Sequence, residues 1–156
     1  MPPLVQNRKA SFDYELISKY EAGLVLRGHE VKALRDGQAS LKGAYISFRS
    51  NEHGKTELYL IGCRISLYRH AGSMPDYNPL RERKLLLNKS ELSYLIGRSR
   101  TEGLTLVPLQ IYTKHSFLKL EFALAKGKKK YDKRETIKNR EEQRRLRSLT
   151  KRQIRG

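Results

Sequence analysis

The chain has 156 residues, with 33 Lys and Arg against 16 Asp and Glu, and its formal net charge of +17 favours a polyanionic partner. Its single cysteine, Cys63, excludes an intramolecular disulfide and a multi-cysteine zinc site, and favours a reducing, cytoplasmic compartment. No apolar run approaches the roughly 20 residues of a membrane span, and the N-terminus lacks the apolar core of a secretory signal, so we expect no membrane association.

Strands are predicted where Tyr, Leu, Ile, Val and Phe recur between turn residues. In chain order, these segments are residues 12–26, 44–48, 56–61, 104–113 and 117–124. The sequence SNEHGK between the second and third strands, and KHS between the last two, predict hairpin connections. Pro108 lies within a predicted strand and therefore predicts an edge or a bulge there.

Two helical segments are predicted between these strands. The first covers residues 29–35 and is closed by Gly37. The second lies across residues 78–103, where Asn78 and Pro79 suit the N-cap and the first helical position. The apolar face of this second helix is expected to end near Gly97.

Five or six short, mostly antiparallel strands with a few helices predict a mainly β, α+β fold, a small barrel with peripheral helices. The pattern alone leaves an OB-like barrel and other small α+β folds open. We predict one domain over residues 1–125 and a basic tail over residues 126–156.

The tail contains 14 Lys and Arg against 4 Asp and Glu and few apolar residues. Such a segment buries too little apolar surface to offset the entropy of ordering, so we expect it to be disordered alone. Placed on a helix, however, seven residues fall within a band of about 80°. They are Lys133, Ile137, Arg140, Arg144, Arg147, Lys151 and Arg155. This basic stripe predicts a helix formed against phosphates; the alternative is a solubilising tail with accidental periodicity.

An enzyme would need convergent catalytic groups, and the sequence contains no such constellation. The four histidines stand singly, and no Walker A, dinucleotide-binding or nucleophile-elbow motif is present. Glu21, Glu30 and Asp36 could hold a metal in an RNA nuclease, but a helix-end charge or an ion pair with Arg27, Lys32 or Arg35 is the more economical interpretation. We therefore predict no catalytic residues, no metal and no cofactor.

Five segments, taken in order, resemble the SmpB (small protein B) family over residues 7–140. They are NRKASFDYEL, EAGLVLRGHEVKALRDG, NPLRERKLLLNKSEL, EGLTLVPLQIY and ALAKGKKKYDKRETIKNR. The resemblance implies an OB-fold barrel that binds the tRNA-like domain of tmRNA, one protein per RNA, without catalysis. It also implies a tail that is helical on the ribosome, against small-subunit rRNA at the decoding centre and in the empty mRNA channel, so that trans-translation rescues stalled ribosomes.

Candidate tmRNA-binding residues cluster at four places before the tail. Asn7, Arg8 and Lys9 place an amide and two cations together, suited to phosphate and 2′-hydroxyl contacts. The resemblance adds Glu21 as an RNA-contacting acid and Leu86. Further cations complete the predicted surface: Lys32, Arg35, Lys42, Arg81, Arg83, Lys84 and Lys119.

In the tail, Gly127 is predicted to be a swivel and Tyr131 to stack on an rRNA base near the decoding centre. The other predicted ribosome-binding residues are cations and one acid: Lys128, Lys129, Asp132, Lys133, Arg134, Arg140, Arg144, Arg147 and Lys151. Many family members have His where this chain has Phe12 and Tyr77, so those polar contacts are in question. The alternative function is a basic structural ribosomal protein.

Overall fold

The computed structural model describes residues 3–128 and 130–155, and within them the chain forms nine strands and four helices. The strands are β1 Val5–Gln6, β2 Tyr14–Leu24, β3 Ala39–Ser40, β4 Tyr45–Ser50, β5 Thr56–Ile61, β6 Arg64–Ile65, β7 Arg83–Leu86, β8 Thr105–Lys114 and β9 Phe117–Gly127. The helices are α1 Ala10–Asp13, α2 Gly28–Arg35, α3 Lys89–Glu102 and α4 Lys130–Arg155.

Seven strands form one antiparallel sheet in the order β1-β8-β9-β2-β7-β5-β4, and β3 pairs with β6 beside it. The sheet curls on itself, so that edge strand β4 contacts β8 near the opposite edge and β1 contacts β3. The predicted mainly β fold, a small OB-like antiparallel barrel with peripheral helices, is confirmed. The tail follows the last barrel strand as a separate helix.

The core lies on the concave face of the sheet, where alternate strand residues point inward. Strand β9 contributes Leu118, Leu120, Phe122 and Leu124, all buried. Helices α2 and α3 close the core with Leu34 and Leu95, which are fully buried. Burying a side chain of this size stabilises the fold by about 1.5–3 kcal/mol, so this alternation accounts for the barrel strands.

Both predicted hairpins are present. The β4–β5 turn is held by Asn51, whose side-chain oxygen accepts from the backbone N–H groups of His53 and Lys55. The β8–β9 turn has two central residues, His115 and Ser116, with positive φ values of 50° and 67°. This conformation matches the twist of the flanking strands and fixes their register.

The expectation of an edge or a bulge at Pro108 is confirmed as a bulge. The β8–β9 register shifts between Pro108 and Gln110, and β1 covers the other side of β8. The side-chain amide of Asn7 donates to the Pro108 carbonyl at 2.9 Å. The bulge thus anchors the N-terminal segment to the barrel.

The predicted helix start at Asn78 is wrong. Residues 83–86 form β7, paired with β2 and β5, and α3 begins only at Lys89 with Asn88 as N-cap, whose side chain accepts from the Glu91 N–H. Long-range strand pairing outweighs the helical propensity of the Leu-rich run. The helix also continues past Gly97 to a left-handed C-cap at Gly103.

Two boundaries move at the ends of the barrel. Strand β2 begins at Tyr14, because α1 occupies the preceding residues, and β9 continues to Gly127, two residues past the predicted domain end. The tail helix α4 begins at Lys130, three residues before Lys133, the first residue of the predicted basic stripe, and runs unbroken to Arg155. The division into a domain and a functionally separate tail stays a prediction.

Candidate nucleic-acid interface

The register of three adjacent strands brings Glu21, Lys119 and Leu86 onto the outer face of the sheet. Gly23 of β2 lies opposite Lys119 of β9 on one side and Leu86 of β7 on the other. Glu21 is two residues before Gly23 and therefore faces the same way. We call this group, with Gly23 at its centre, the outer-face site.

Glu21 is held ionised by its neighbours. The Tyr112 hydroxyl donates to the Glu21 carboxylate, and the ammonium Nζ of Lys114 lies 3.4 Å from it. The Tyr112 hydrogen bond first, and then Lys114 and Lys119, lower the pKa of Glu21 against the opposing effect of burial. At neutral pH the site thus offers acceptor oxygens beside two cations, a combination suited to ribose hydroxyls and phosphates.

Sequence reasoning missed Tyr112 and Lys114. The signal was present, because alternation in β8 places them opposite to the buried Ile111, and the turn at His115 and Ser116 brings β9 alongside. Burial first, and then the bond to Glu21, raise the pKa of the Tyr112 hydroxyl, so it remains a donor.

An apolar spot adjoins the acid. Leu86 is 52% exposed and Val25, just beyond β2, is 43% exposed. A Cβ atom at Gly23 would lie 3.4 Å from the Cβ of Leu86, so glycine leaves the backbone uncovered between them. Exposed apolar side chains next to open backbone suit the flat face of a base or ribose.

The structure corrects the prediction that Arg83 binds phosphate. Arg83 is fully buried, and its guanidinium donates to Glu30 at 2.6 and 2.9 Å and to the Cys63 carbonyl at 2.6 Å. These partners leave the guanidinium no route to solvent. Arg83 therefore builds the core and does not contact RNA.

Glu30 is also fully buried. It forms a second ion pair with Arg81, whose guanidinium is partly exposed. Burial alone would raise the pKa of Glu30, but bonds from Arg81, the Arg27 backbone and Arg83 lower it to about 2. The predicted partners of Glu30 were Arg27, Lys32 or Arg35; the side-chain ion pairs are instead with Arg81 and Arg83. We call Glu30, Arg81 and Arg83 the buried ion cluster.

Tyr77 belongs to the same cluster. Its hydroxyl donates to the Ile65 carbonyl at 2.7 Å and accepts from Arg83 at 3.1 Å, and its ring packs edge-on against His29. At this position, where many family members have His, the polar contacts of the side chain are therefore made within the protein. Phe12, the other departure from the family pattern, is partly buried on α1.

The remaining predicted cations of the barrel are exposed or partly exposed. Lys84 lies on the same strand face as Leu86, with its ammonium 3.0 Å from Glu57. Lys32 and Arg35 lie on α2, which follows the end of β2 nearest Glu21, and the Lys32 ammonium lies 5.7 Å from the Tyr68 ring centre. Lys84 therefore extends the basic surface beside the outer-face site.

Arg8 and Lys9 lie at the opposite end of the barrel. Tyr14, which follows α1, is seven residues before Glu21 along β2, a separation of roughly 23 Å. Arg8 and Lys9 are exposed beside a cleft of about 890 Å³ that Lys42 also lines. Asn7 uses its amide to hold Pro108, so its predicted RNA contact competes with a structural bond.

The tail leaves the barrel at this second end. Gly127 still pairs with Tyr14, and the Lys128 backbone N–H and ammonium donate to Asp13 and Ser11 carbonyls. The Arg140 guanidinium donates to the Ser11 hydroxyl at 3.1 Å, so α4 passes α1. The swivel role of Gly127 stays a prediction.

The exposed tail cations include Arg134, Arg140, Arg144 and Arg147. The unbroken helix places Arg140, Arg144 and Arg147, three residues of the predicted basic stripe, on one side of α4. Lys129 lies outside the described residues. The same is true of the side chains on which four other predictions depend: Tyr131, Asp132, Lys133 and Lys151.

Metal binding and cysteine reactivity are the other chemistry to consider in the part of the chain that the structure describes. No group of three or more His, Cys, Asp or Glu is placed to hold a metal ion there. Burial raises the pKa of the Cys63 thiol to about 11, so this cysteine is a poor nucleophile. Over the same residues, every helix is too short or too polar to cross a membrane.

A small β-barrel with an ionised acid among outward cations, followed by a long basic helix, defines a nucleic-acid-binding protein with a helical extension. A family model described as SmpB protein matches residues 4–152. The chain belongs to the SmpB family.

Relatives are similar in sequence to this protein over most of the chain. The SsrA-binding protein of Trichodesmium erythraeum is 46% identical over 93% of this chain and 90% of its own. That of Nitrosomonas europaea is 50% identical over 88% of each chain. A solved structure, "tmRNA-SmpB: a journey to the center of the bacterial ribosome", has a chain 41% identical to this one. The match covers 85% of this chain and 92% of that one, with a TM-score of 0.63.

Proposed function

We propose that this protein binds the tRNA-like domain of tmRNA through the outer-face site and delivers it to stalled ribosomes in the cytoplasm. The tail then occupies the decoding centre and the empty mRNA channel. The observation that carries the proposal is the placement of Glu21, Lys119 and Leu86 on adjacent strands at the end of the barrel remote from the tail. The names of the relatives, SsrA-binding proteins, support it.

Two separated basic regions allow one molecule to bind two RNAs at once. The outer-face site and α2 lie at one end of β2, whereas α1 and the root of α4 lie at the other. A bridging factor needs this separation, because the same phosphates cannot serve both partners. The protein acts as an adaptor without catalysing a reaction, one copy per tmRNA.

The tail acts after binding. Its stripe of like charges repels itself in water and is relieved against phosphates, so we expect the helix to be populated weakly in the free protein and fully on the ribosome. This coupling makes the ordering of α4 depend on an empty mRNA channel.

Truncation after Lys128 tests the division of labour. It retains all of β9 and the Lys128 bond to Asp13, so the barrel should fold normally. Filter binding at moderate salt should show nearly unchanged affinity for the tRNA-like domain, and peptide tagging on stalled ribosomes should be lost. Loss of RNA binding by this folded barrel would refute the proposal.

Two further arms exclude alternatives. A factor should leave ribosomal subunits in a high-salt sedimentation wash, whereas a structural ribosomal protein stays.

Glu21→Ala should weaken binding to the tRNA-like domain. The control is Glu52→Ala, which changes an exposed acid in the β4–β5 turn and should not weaken binding.

A further inference from the structure

Ser11 is an exposed serine of α1 that follows two basic residues. The sequence RKASF over residues 8–12 places arginine three positions and lysine two positions before Ser11, with an aromatic residue directly after it. Ser11, Arg8 and Lys9 are all exposed. Protein kinases distinguish their substrates by the pattern of charge around the acceptor residue. The sequence around Ser11 is typical of a site for a serine kinase that selects basic residues.

The local structure gives such a kinase access to Ser11. Helix α1 is a single turn, in which the backbone N–H groups of Phe12 and Asp13 donate to the Lys9 carbonyl. A kinase binds its acceptor segment in an extended form, and so short a helix opens at much lower cost than a paired strand. Strands β1 and β2, on either side of α1, remain paired with β8 and β9 while it opens.

Cations from the root of the tail converge on the same serine. The Arg140 guanidinium donates to the Ser11 hydroxyl at 3.1 Å, and the Lys128 ammonium donates to the Ser11 carbonyl at 2.9 Å. A neutral hydroxyl offers Arg140 only a modest bond at this exposed position, because water competes for both groups. A phosphate on Ser11 would instead offer these two cations a counter-charge.

We propose that Ser11 is a phosphorylation site, and that the phosphate holds α4 against α1. The phosphoryl donor is ATP, bound by a serine kinase that selects basic residues. The Ser11 hydroxyl oxygen attacks the γ-phosphorus, and the new Oγ–P bond replaces the bond from that phosphorus to the oxygen it shares with the β-phosphate. ADP leaves, and the hydroxyl proton passes to the catalytic base of the kinase.

The phosphate acts through charge. A phosphoserine carries a charge of about −1.5 to −2 at pH 7 and three strong acceptor oxygens, which can dock one element on another through facing cations. On Ser11 it accepts from Arg140 and Lys128 and ties the tail to the barrel. Phosphorylation then keeps the tail from entering the small subunit, a consequence that rests on the proposed function. The outer-face site, at the other end of β2, keeps its affinity for the tRNA-like domain.

The modification itself is tested on the full-length protein. The probe is the catalytic subunit of cyclic-AMP-dependent protein kinase with ATP, and mass spectrometry of peptides locates the phosphate. Ser11 should be modified in the wild type, and this modification should be lost in Arg8→Ala. Ser73, an exposed serine with no basic residue two or three positions before it except His70, should stay unmodified. A wild-type protein without phosphate on Ser11 would overturn the site.

The effect on the tail needs the phosphate at one position. Ser148 on α4 also follows an arginine by three residues, so phosphoserine is encoded genetically at position 11 alone, and at position 73 in the matched control. Trypsin should cleave after Arg140 about tenfold more slowly in the Ser11 phosphoprotein, in line with one added charge-assisted hydrogen bond. Peptide tagging should fall in parallel. Filter binding to the tRNA-like domain should be the same for both phosphoproteins.

The possible failures are distinguishable. Equal cleavage after Arg140 in the two phosphoproteins would overturn the contact between the phosphate and the tail. Weaker binding of the tRNA-like domain by the Ser11 phosphoprotein would show that the phosphate acts on tmRNA contacts of Arg8 and Lys9 instead. Absence of tagging with the unmodified protein would refute the proposed function, whereas the cleavage after Arg140 would still decide whether the phosphate holds α4.

Discussion

Arginines in the barrel and in the tail have opposite uses. Arg83 is fully buried against Glu30, which is itself fully buried, whereas Arg140, Arg144 and Arg147 are exposed on α4. In the barrel the counter-charge is a carboxylate 53 residues away in sequence. In the tail, acids are too few to supply one. The comparison shows that an arginine stabilises the fold when its counter-ion lies within the protein, and is available to bind a partner when the counter-ion lies on that partner.

Removing the internal anion should have the largest effect. Glu30→Gln leaves Arg83 buried without its counter-charge and should lower the free energy of unfolding by about 3–5 kcal/mol. Urea denaturation at pH 7 measures the loss. Glu102→Gln, which breaks the exposed pair with Arg98 on α3, should cost far less. Equal losses in the two variants would mean that the buried ion cluster adds nothing beyond a surface pair.

Acid should remove the stabilisation that the buried ion cluster contributes. The pKa of Glu30 is lowered in the fold to about 2 from an ordinary 4.5, so its stabilisation is complete above pH 4.5. It should be lost as the pH falls from 4.5 toward 2, a change of about 3 kcal/mol. The difference between unfolding curves of the wild type and Glu30→Gln isolates this carboxylate. A difference that stays constant from pH 5 to pH 2 would contradict the low pKa.

Breaking the tail helix should abolish function without touching the barrel. Arg144→Pro removes a helix hydrogen bond and costs about 3 kcal/mol in the ordered tail. Tagging on stalled ribosomes should be lost, while tmRNA binding and the melting temperature stay near normal. Arg144→Ala removes the charge and keeps the helix, so it should retain most tagging. Normal tagging by the proline variant would show that charge alone suffices.

A single outward cation should have the smallest effect. Lys119→Gln removes one phosphate contact at the outer-face site and should reduce the slope of log K against log salt by about 0.7–0.9. The matched control is Lys55→Gln, an exposed lysine in the β4–β5 turn. Titration of the tRNA-like domain at several salt concentrations gives both slopes. An identical slope for wild type and Lys119→Gln would place Lys119 outside the RNA contact.

Strands could be predicted from the sequence where the interactions that define them are local. Strand β5 was predicted with both of its ends, because alternation and a turn are local signals. The two-residue strands β1, β3 and β6 were not predicted, since only pairing with distant partners defines them. The segment of β7 resembles a helix in isolation and becomes a strand between β2 and β5.

The candidate site follows the same rule. The resemblance identified Glu21 and Leu86, Lys119 was added as a cation of the same surface, and the strand register then explains their grouping. No local signal separates Arg83, which is buried, from exposed Arg8, because burial of Arg83 depends on Glu30 and the Cys63 carbonyl. Likewise, the cleft beside Arg8, Lys9 and Lys42 forms where segments distant in sequence meet, so it could not be predicted from Arg8 and Lys9 alone.

The pairing of Tyr14 with Gly127 has a consequence for how the protein is made. Strand β2 emerges about 100 residues before β9, which at 5–20 residues per second is roughly 5–20 s of synthesis. During that time β2 lacks its longest neighbour and is an edge open to aggregation. Its exposed Glu15 and Lys19 act as gatekeepers against wrong pairing. We therefore expect the barrel to close late, only when nearly the whole chain has left the ribosome that synthesises it.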